Sequence, residues 1–199
     1  MQGRTHLVIG AALAAVILKP ASVPLFAAGC CAAAAGGIIC DLDADGSRAN
    51  RGVAKAGALL FLLLVLLIFA DLYAGYGLYD TLRSRAAGST RMAAAFFFLF
   101  LCALGMVSPH RSMMHSITAG LLLTVCVRLI VPELTTYFAI GFASHLLLDL
   151  VNRKGIPLFY PLKKRFSLGL FRSDGLMSRL LFLTGSAALV ILAFQFVQR

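Results

Sequence analysis

"ELTTYFAIGFASHLLLDLVNRK", residues 133–154, is mainly apolar from Leu134 to Leu150 and carries a histidine and an aspartate four residues apart in its second half. At about 100° of rotation per residue, His145 and Asp149 project from one side of a helix, so an imidazole and a carboxylate can grip the same cation. A helix this apolar, closed by Asn152, Arg153 and Lys154, is that of a chain folded in lipid, where an ionisable side chain is costly and marks function.

The remainder of the chain has the same character. Of 199 residues, 60% are hydrophobic and 13% charged, and the mean hydropathy of +0.91 excludes a soluble domain of this length. Apolar runs occupy 5–18, 23–40, 56–70, 92–107, 116–131, 134–150 and 180–197. They predict an all-α, polytopic membrane bundle of about six or seven helices, a single integral-membrane domain over residues 1–199 with no internal repeat. Several runs fall short of the ~20 residues that a spanning helix needs, so the first two are expected to form a hairpin that does not fully cross. The five cysteines lie in or at the ends of apolar runs without a CxxC pair, which predicts packing residues and no disulfide framework.

With helices crossing alternately, the N-terminus, the loop 41–55, the loop 108–115 and the segment 151–179 share one side. Twelve of the eighteen Lys and Arg residues flank that side, and the positive-inside rule makes it cytoplasmic. The same asymmetry accounts for most of the net charge of +10 as topology and attraction to anionic lipid, and no motif for specific nucleic-acid binding accompanies it.

All four histidines fall near this surface. His6 starts the first helix, Asp41 and Asp43 end the second, His110 and His115 precede the fifth, and His145 and Asp149 end the sixth. Pro109 is expected to help start the helix that follows. Imidazole and carboxylate donors suit zinc or manganese, and the absence of thiolates argues against a structural zinc cage. Seven candidates exceed the four donors of one tetrahedral ion, so one to three divalent ions are expected, at one membrane face. Bound metal can supply a hydroxide nucleophile, with Asp41 or Asp43 as general base. Arg111, between two histidines, can clamp a phosphate oxygen. Ser47 and Ser116 are candidates to support the ligands. The stretch "NRKGIPLFYPLKKRF", 152–166, mixes turns, aromatics and cations as a segment in the headgroup layer does. Membrane lipids are therefore the expected partners, with a lipid or other phosphate ester as substrate; a divalent-metal transporter and a non-catalytic membrane protein with a structural metal are the alternatives.

"THL" at 5–7, "DLDADGS" at 41–47, "HRSMMHS" at 110–116, "SHLLLD" at 144–149 and "GIPLFYPLKKRF" at 155–166 resemble, in order and spacing, the YdjM-like membrane-bound metal-dependent hydrolases of the LexA-regulated type. That resemblance implies a bacterial inner-membrane enzyme related to the zinc-dependent phospholipase C and single-strand nuclease superfamily, all-helical proteins that cleave phosphate esters with clustered zinc. It implies His6, Asp41, Asp43, His110, His115, His145 and Asp149 as metal ligands, and hence an N-terminus retained rather than removed as a signal peptide. The chain departs from the family pattern in reading Cys40 where a proline is usual, Ala44 where a histidine is usual, and Ser112 and Met114 where glycine and threonine are usual.

Overall fold

Helix ends are written into the chain as caps and breakers, and the computed structural model, which describes residues 3–43, 88–109, 111–162, 164–170 and 175–197, follows them. Helix α1 (Gly3–Leu18) stops at Lys19, whose φ of 45° is left-handed, before Pro20. Helix α2 (Val23–Ile39) starts where the Ser22 hydroxyl accepts the Leu25 amide at 3.3 Å, and runs into a 3-10 turn, Cys40–Asp43. Helices α3 (Gly88–Val107), α4 (Ile117–Ile130), α5 (Thr135–Val151) and α6 (Leu176–Val197) complete the described elements. The class is all-α as expected: the described elements are helices and short 3-10 turns, with an isolated antiparallel bridge between Ile156 and Phe166. The apolar run 56–70 lies outside the described residues.

Three segments, Gly88–Val107, Pro132–Val151 and Leu176–Gln195, are long and apolar enough to cross a membrane, whereas α1, α2 and α4 are shorter. Helix α4 begins at Ile117 rather than near Pro109. Ser108 and Pro109 instead end the stretch after α3, and a separate 3-10 turn, Met113–His115, precedes α4. The cap is Ser116, whose hydroxyl accepts the Ala119 amide at 3.1 Å and donates to the Met113 carbonyl at 2.6 Å. Its side chain is thus spent on the helix start.

Lipid tails are as apolar as leucine, so close packing must hold such helices together, and small residues permit it. Helices α1, α2 and α5 meet backbone to backbone. A Cβ on Gly141 would overlap the Ala33 carbonyl, one on Gly36 the Phe138 carbonyl, and one on Gly10 would sit 3.2 Å from the Gly141 Cα. Helix α6 lies on α1, with Gly185 against Val8 and Ile9 and the Thr5 and Ser178 hydroxyls 3.1 Å apart. Helices α3 and α4 complete the wall on the other side of α5. There Leu101, Met114, Leu123, Phe138, Phe142 and Ile156 form an apolar cluster together with Ile39 and Cys40.

After α5 the chain turns at Gly155 (φ 65°) and is fastened by several hydrogen bonds. Ile156 and Phe166 exchange backbone bonds of 2.9 Å, and the Ile117 amide bonds to the Leu158 carbonyl at 2.9 Å. The 155–170 segment is therefore fixed against the start of α4.

Candidate metal centre

The close approach of α1, α2 and α5 decides where polar side chains can go. His6 is one turn into α1, Asp41 lies just beyond α2, His115 just before α4, and His145 and Asp149 in the last two turns of α5. These helix ends meet, and His6, His115, His145 and Asp149 are buried to within 1% of their surface, with Asp41 partly so. Burying such groups is expensive unless they are paired or hold a cation.

His145 organises the group. Its Nδ1 lies 2.7 Å from the Gly37 carbonyl oxygen. A carbonyl can only accept, so Nδ1 carries the proton and Nε2 keeps the lone pair a metal needs. That nitrogen is 3.3 Å from His115 Nε2, 3.8 Å from Asp41 Oδ1 and 3.9 Å from Asp149 Oδ2. His115 Nε2 is in turn 3.9 Å from Asp41 Oδ1 and 3.5 Å from Asp149 Oδ2.

Asp41, His115 and His145 thus form one group whose donor atoms all lie within 4.8 Å of one another, and Asp149 Oδ2 lies close to both histidine nitrogens. The donor set fits a divalent cation. A second group, His6, His145 and Asp149, also has its donor atoms within 4.8 Å of one another. His6 Nε2 approaches the other oxygen of Asp149, Oδ1, at 3.6 Å, and its ring stacks on His145 with centroids 3.9 Å apart. His145 has one lone pair to give, so a second ion here would take His6 and share Asp149 as a bridging carboxylate.

Arg111 closes the group. Its backbone is left-handed (φ 57°), a conformation a non-glycine residue holds only when its surroundings enforce it. Its guanidinium is buried, with Nη2 3.2 Å from Asp149 Oδ2, and Nε and Nη1 have no hydrogen-bond partner among the described residues. Two guanidinium donors aimed beside a cation site can take an anion.

Of the residues expected from sequence, the structure therefore brings together His6, Asp41, Arg111, His115, His145 and Asp149. His110, Ala44 and Ser47 lie outside the described residues, as does the side chain of Asp43. Cys40, at the position where the resembled family has proline, is buried in the apolar cluster with Ile39 and Met114. Ser116 caps α4. The sequence reading missed Gly37, whose backbone carbonyl orients His145 and whose lack of a side chain lets α1 approach: a Cβ there would lie 2.7 Å from the His6 carbonyl oxygen. The adjacent glycines of α2 were the available signal, because paired small residues in an apolar helix mark a close crossing.

The YdjM inner membrane protein family model matches residues 1–199, and the chain belongs to that family. No curated protein and no solved structure matches it.

Proposed function

We propose that this member of the YdjM inner membrane protein family is a metal-dependent hydrolase of phosphate esters, working at the cytoplasmic face of the membrane. The observation that carries the reading is the buried cluster of His115, His145, Asp41 and Asp149 donors with the Arg111 guanidinium beside it. His115, His145, Asp41 and Asp149 would hold a zinc or manganese ion, which when bound would lower the pKa of a water towards ~7 and polarise a phosphoryl oxygen. Asp41 is committed to the cation, which leaves Asp43, two residues on, for proton transfer. Arg111 offers Nε and Nη1 to the phosphate, a contact that a neutral ester would not need. His6 either completes the coordination or holds a second ion against Asp149 Oδ1.

The resemblance to enzymes of the zinc-dependent phospholipase C type supports the reaction class. The placement of the donors at helix ends also favours hydrolysis over transport, since transporters gather ligands near the bilayer midplane on broken helices of repeated halves. The cytoplasmic assignment is supported by Arg153, Lys154, Lys164 and Arg165, all exposed on the segment that follows α5. The test is metal analysis of the purified protein together with hydrolysis of a panel of phospholipids and soluble phosphodiesters. Zinc- or manganese-dependent cleavage that disappears in His145→Ala is expected. A metal-loaded protein that cleaves no phosphate ester would overturn the enzymatic reading while leaving the metal centre in place.

A further inference from the structure

One cleft in the protein is separated from the metal centre by a single peptide. It has a volume of about 210 Å³ and is walled by Leu101 of α3, Met113 and Met114 of the 3-10 turn, Leu122 and Leu123 of α4, and Tyr160. Its lining is almost wholly apolar. Met114, on one side of the turn, is fully buried against the cleft, and His115, the next residue, is fully buried in the donor cluster. The volume exceeds the ~150 Å³ of an apolar cavity that stays dry and takes up a benzene.

We infer that this cleft seats one acyl chain of an anionic glycerophospholipid, with the lipid headgroup beside the turn that carries Arg111 and His115. Three observations identify the occupant. First, Leu122, which lines the cleft, is exposed on α4 beside exposed Leu121 and Val125, an apolar face suited to hydrocarbon surroundings. Second, the wall holding Tyr160 is fixed rather than loose, because the Thr118 hydroxyl donates to the Tyr160 carbonyl at 2.9 Å. Third, the same wall continues into Lys164 and Arg165, with Arg153 and Lys154 at the start of the segment, all exposed cations that select a negative headgroup. The seating of the chain stands on these features alone. The delivery of its headgroup ester to the metal rests on the hydrolase reading.

The chain contains no tryptophan, so a single one reports its own surroundings. Tyr160→Trp, at the mouth of the cleft, and Leu183→Trp, on the exposed face of α6, are each reconstituted into nanodiscs with phosphatidylglycerol or phosphatidylcholine brominated along the acyl chain. The Tyr160→Trp protein is expected to be quenched more strongly by the anionic lipid, and the Leu183→Trp protein equally by both. Adding Leu122→Phe to the Tyr160→Trp protein fills the cleft and should abolish the preference. Equal quenching of the Tyr160→Trp protein by both lipids overturns the proposal, as does its protection from both, which means that another part of the chain covers the cleft. The readout needs no turnover. Selective quenching without any ester hydrolysis would sink the hydrolase reading and keep the lipid seat, and hydrolysis without selective quenching would do the reverse.

Discussion

His145 donates its Nδ1 proton to the Gly37 carbonyl at 2.7 Å, and this one bond ties the tautomer of a candidate metal ligand on α5 to the backbone of α2. The carbonyl is within reach only because Gly36 and Gly37 let three helices meet without side chains between them. Packing in the membrane and chemistry at the centre are therefore coupled through α2.

That coupling predicts the behaviour of Gly37→Ala. The added Cβ falls 2.7 Å from the His6 carbonyl, so α1 must move away from α2, carrying His6 with it and loosening His145. No ligand is deleted, yet metal affinity should fall by ~10–100-fold, the usual effect of disturbing an outer-shell partner. Competition with a chromophoric chelator measures it. Affinity unchanged within about twofold would show that the Gly37 contact does not position His145.

Gly36→Ala should act on stability. Its Cβ would overlap the Phe138 carbonyl on α5, a backbone atom that cannot rotate aside, at a cost of about 1–3 kcal/mol. Leu147→Ala, on the exposed face of α5, should stay within ~0.5 kcal/mol of the parent. Thermal unfolding in detergent compares the two. Equal losses from both substitutions would contradict the close helix crossing described above.

Removal of ligands gives the third prediction. Every one of the five short separations among the Asp41, His115, His145 and Asp149 donors ends on His115 or His145, so His115→Ala and His145→Ala should each lower bound zinc or manganese more than the change at Gly37 does. His6→Ala leaves the four donors intact and should lower metal content only by the share of a second ion. Inductively coupled plasma analysis reads all three. Stoichiometric metal retained in a protein carrying both His115→Ala and His145→Ala would remove the centre from these residues.

The legible part of this structure was the part set by spacing and hydropathy. His145 and Asp149, four apart, do share a face and approach to 3.9 Å, and the apolar runs did mark the described helices to within a few residues. The convergence of His6, Asp41 and His115 on that pair was readable too, because alternate crossing carries their helix ends to one side. Less legible was what backbone atoms do. The Gly37 carbonyl leaves no side-chain signature, and Ser116 reads equally well as a helper of the metal or as a helix cap until the Ala119 amide is seen to occupy it. Arg111 was visible as a cation between histidines, but its left-handed backbone and its 3.2 Å contact with Asp149 are tertiary facts.

Orientation in the membrane can be tested without any activity. Lys154→Cys and Arg165→Cys, both at exposed positions on the segment after α5, are placed in a protein whose five native cysteines are replaced. A membrane-impermeant maleimide should label them in inside-out vesicles and leave them unmodified in intact cells. Labelling from outside intact cells would put the donor cluster on the opposite face from the one proposed.

Arg111→Lys separates substrate recognition from metal binding. Arginine cannot ligate a cation, and its Nη2 already contacts Asp149, so its two remaining donors are what it can offer to a phosphate. Lysine keeps the charge and can hold Asp149 in place, but it loses the planar fork that meets two oxygens at once. Metal content should then stay near that of the parent while kcat/KM for a cleaved phosphate ester falls by ~10-fold or more, as expected when a charged hydrogen bond of about 1.5–3 kcal/mol is lost chiefly in the transition state. A neutral carboxylic ester, if it is cleaved at all, should be affected much less, because its carbonyl does not present two anionic oxygens to the fork. If Arg111→Lys instead loses metal in proportion to activity, the role of the arginine is to hold Asp149 for the cation, and the phosphate contact is wrong.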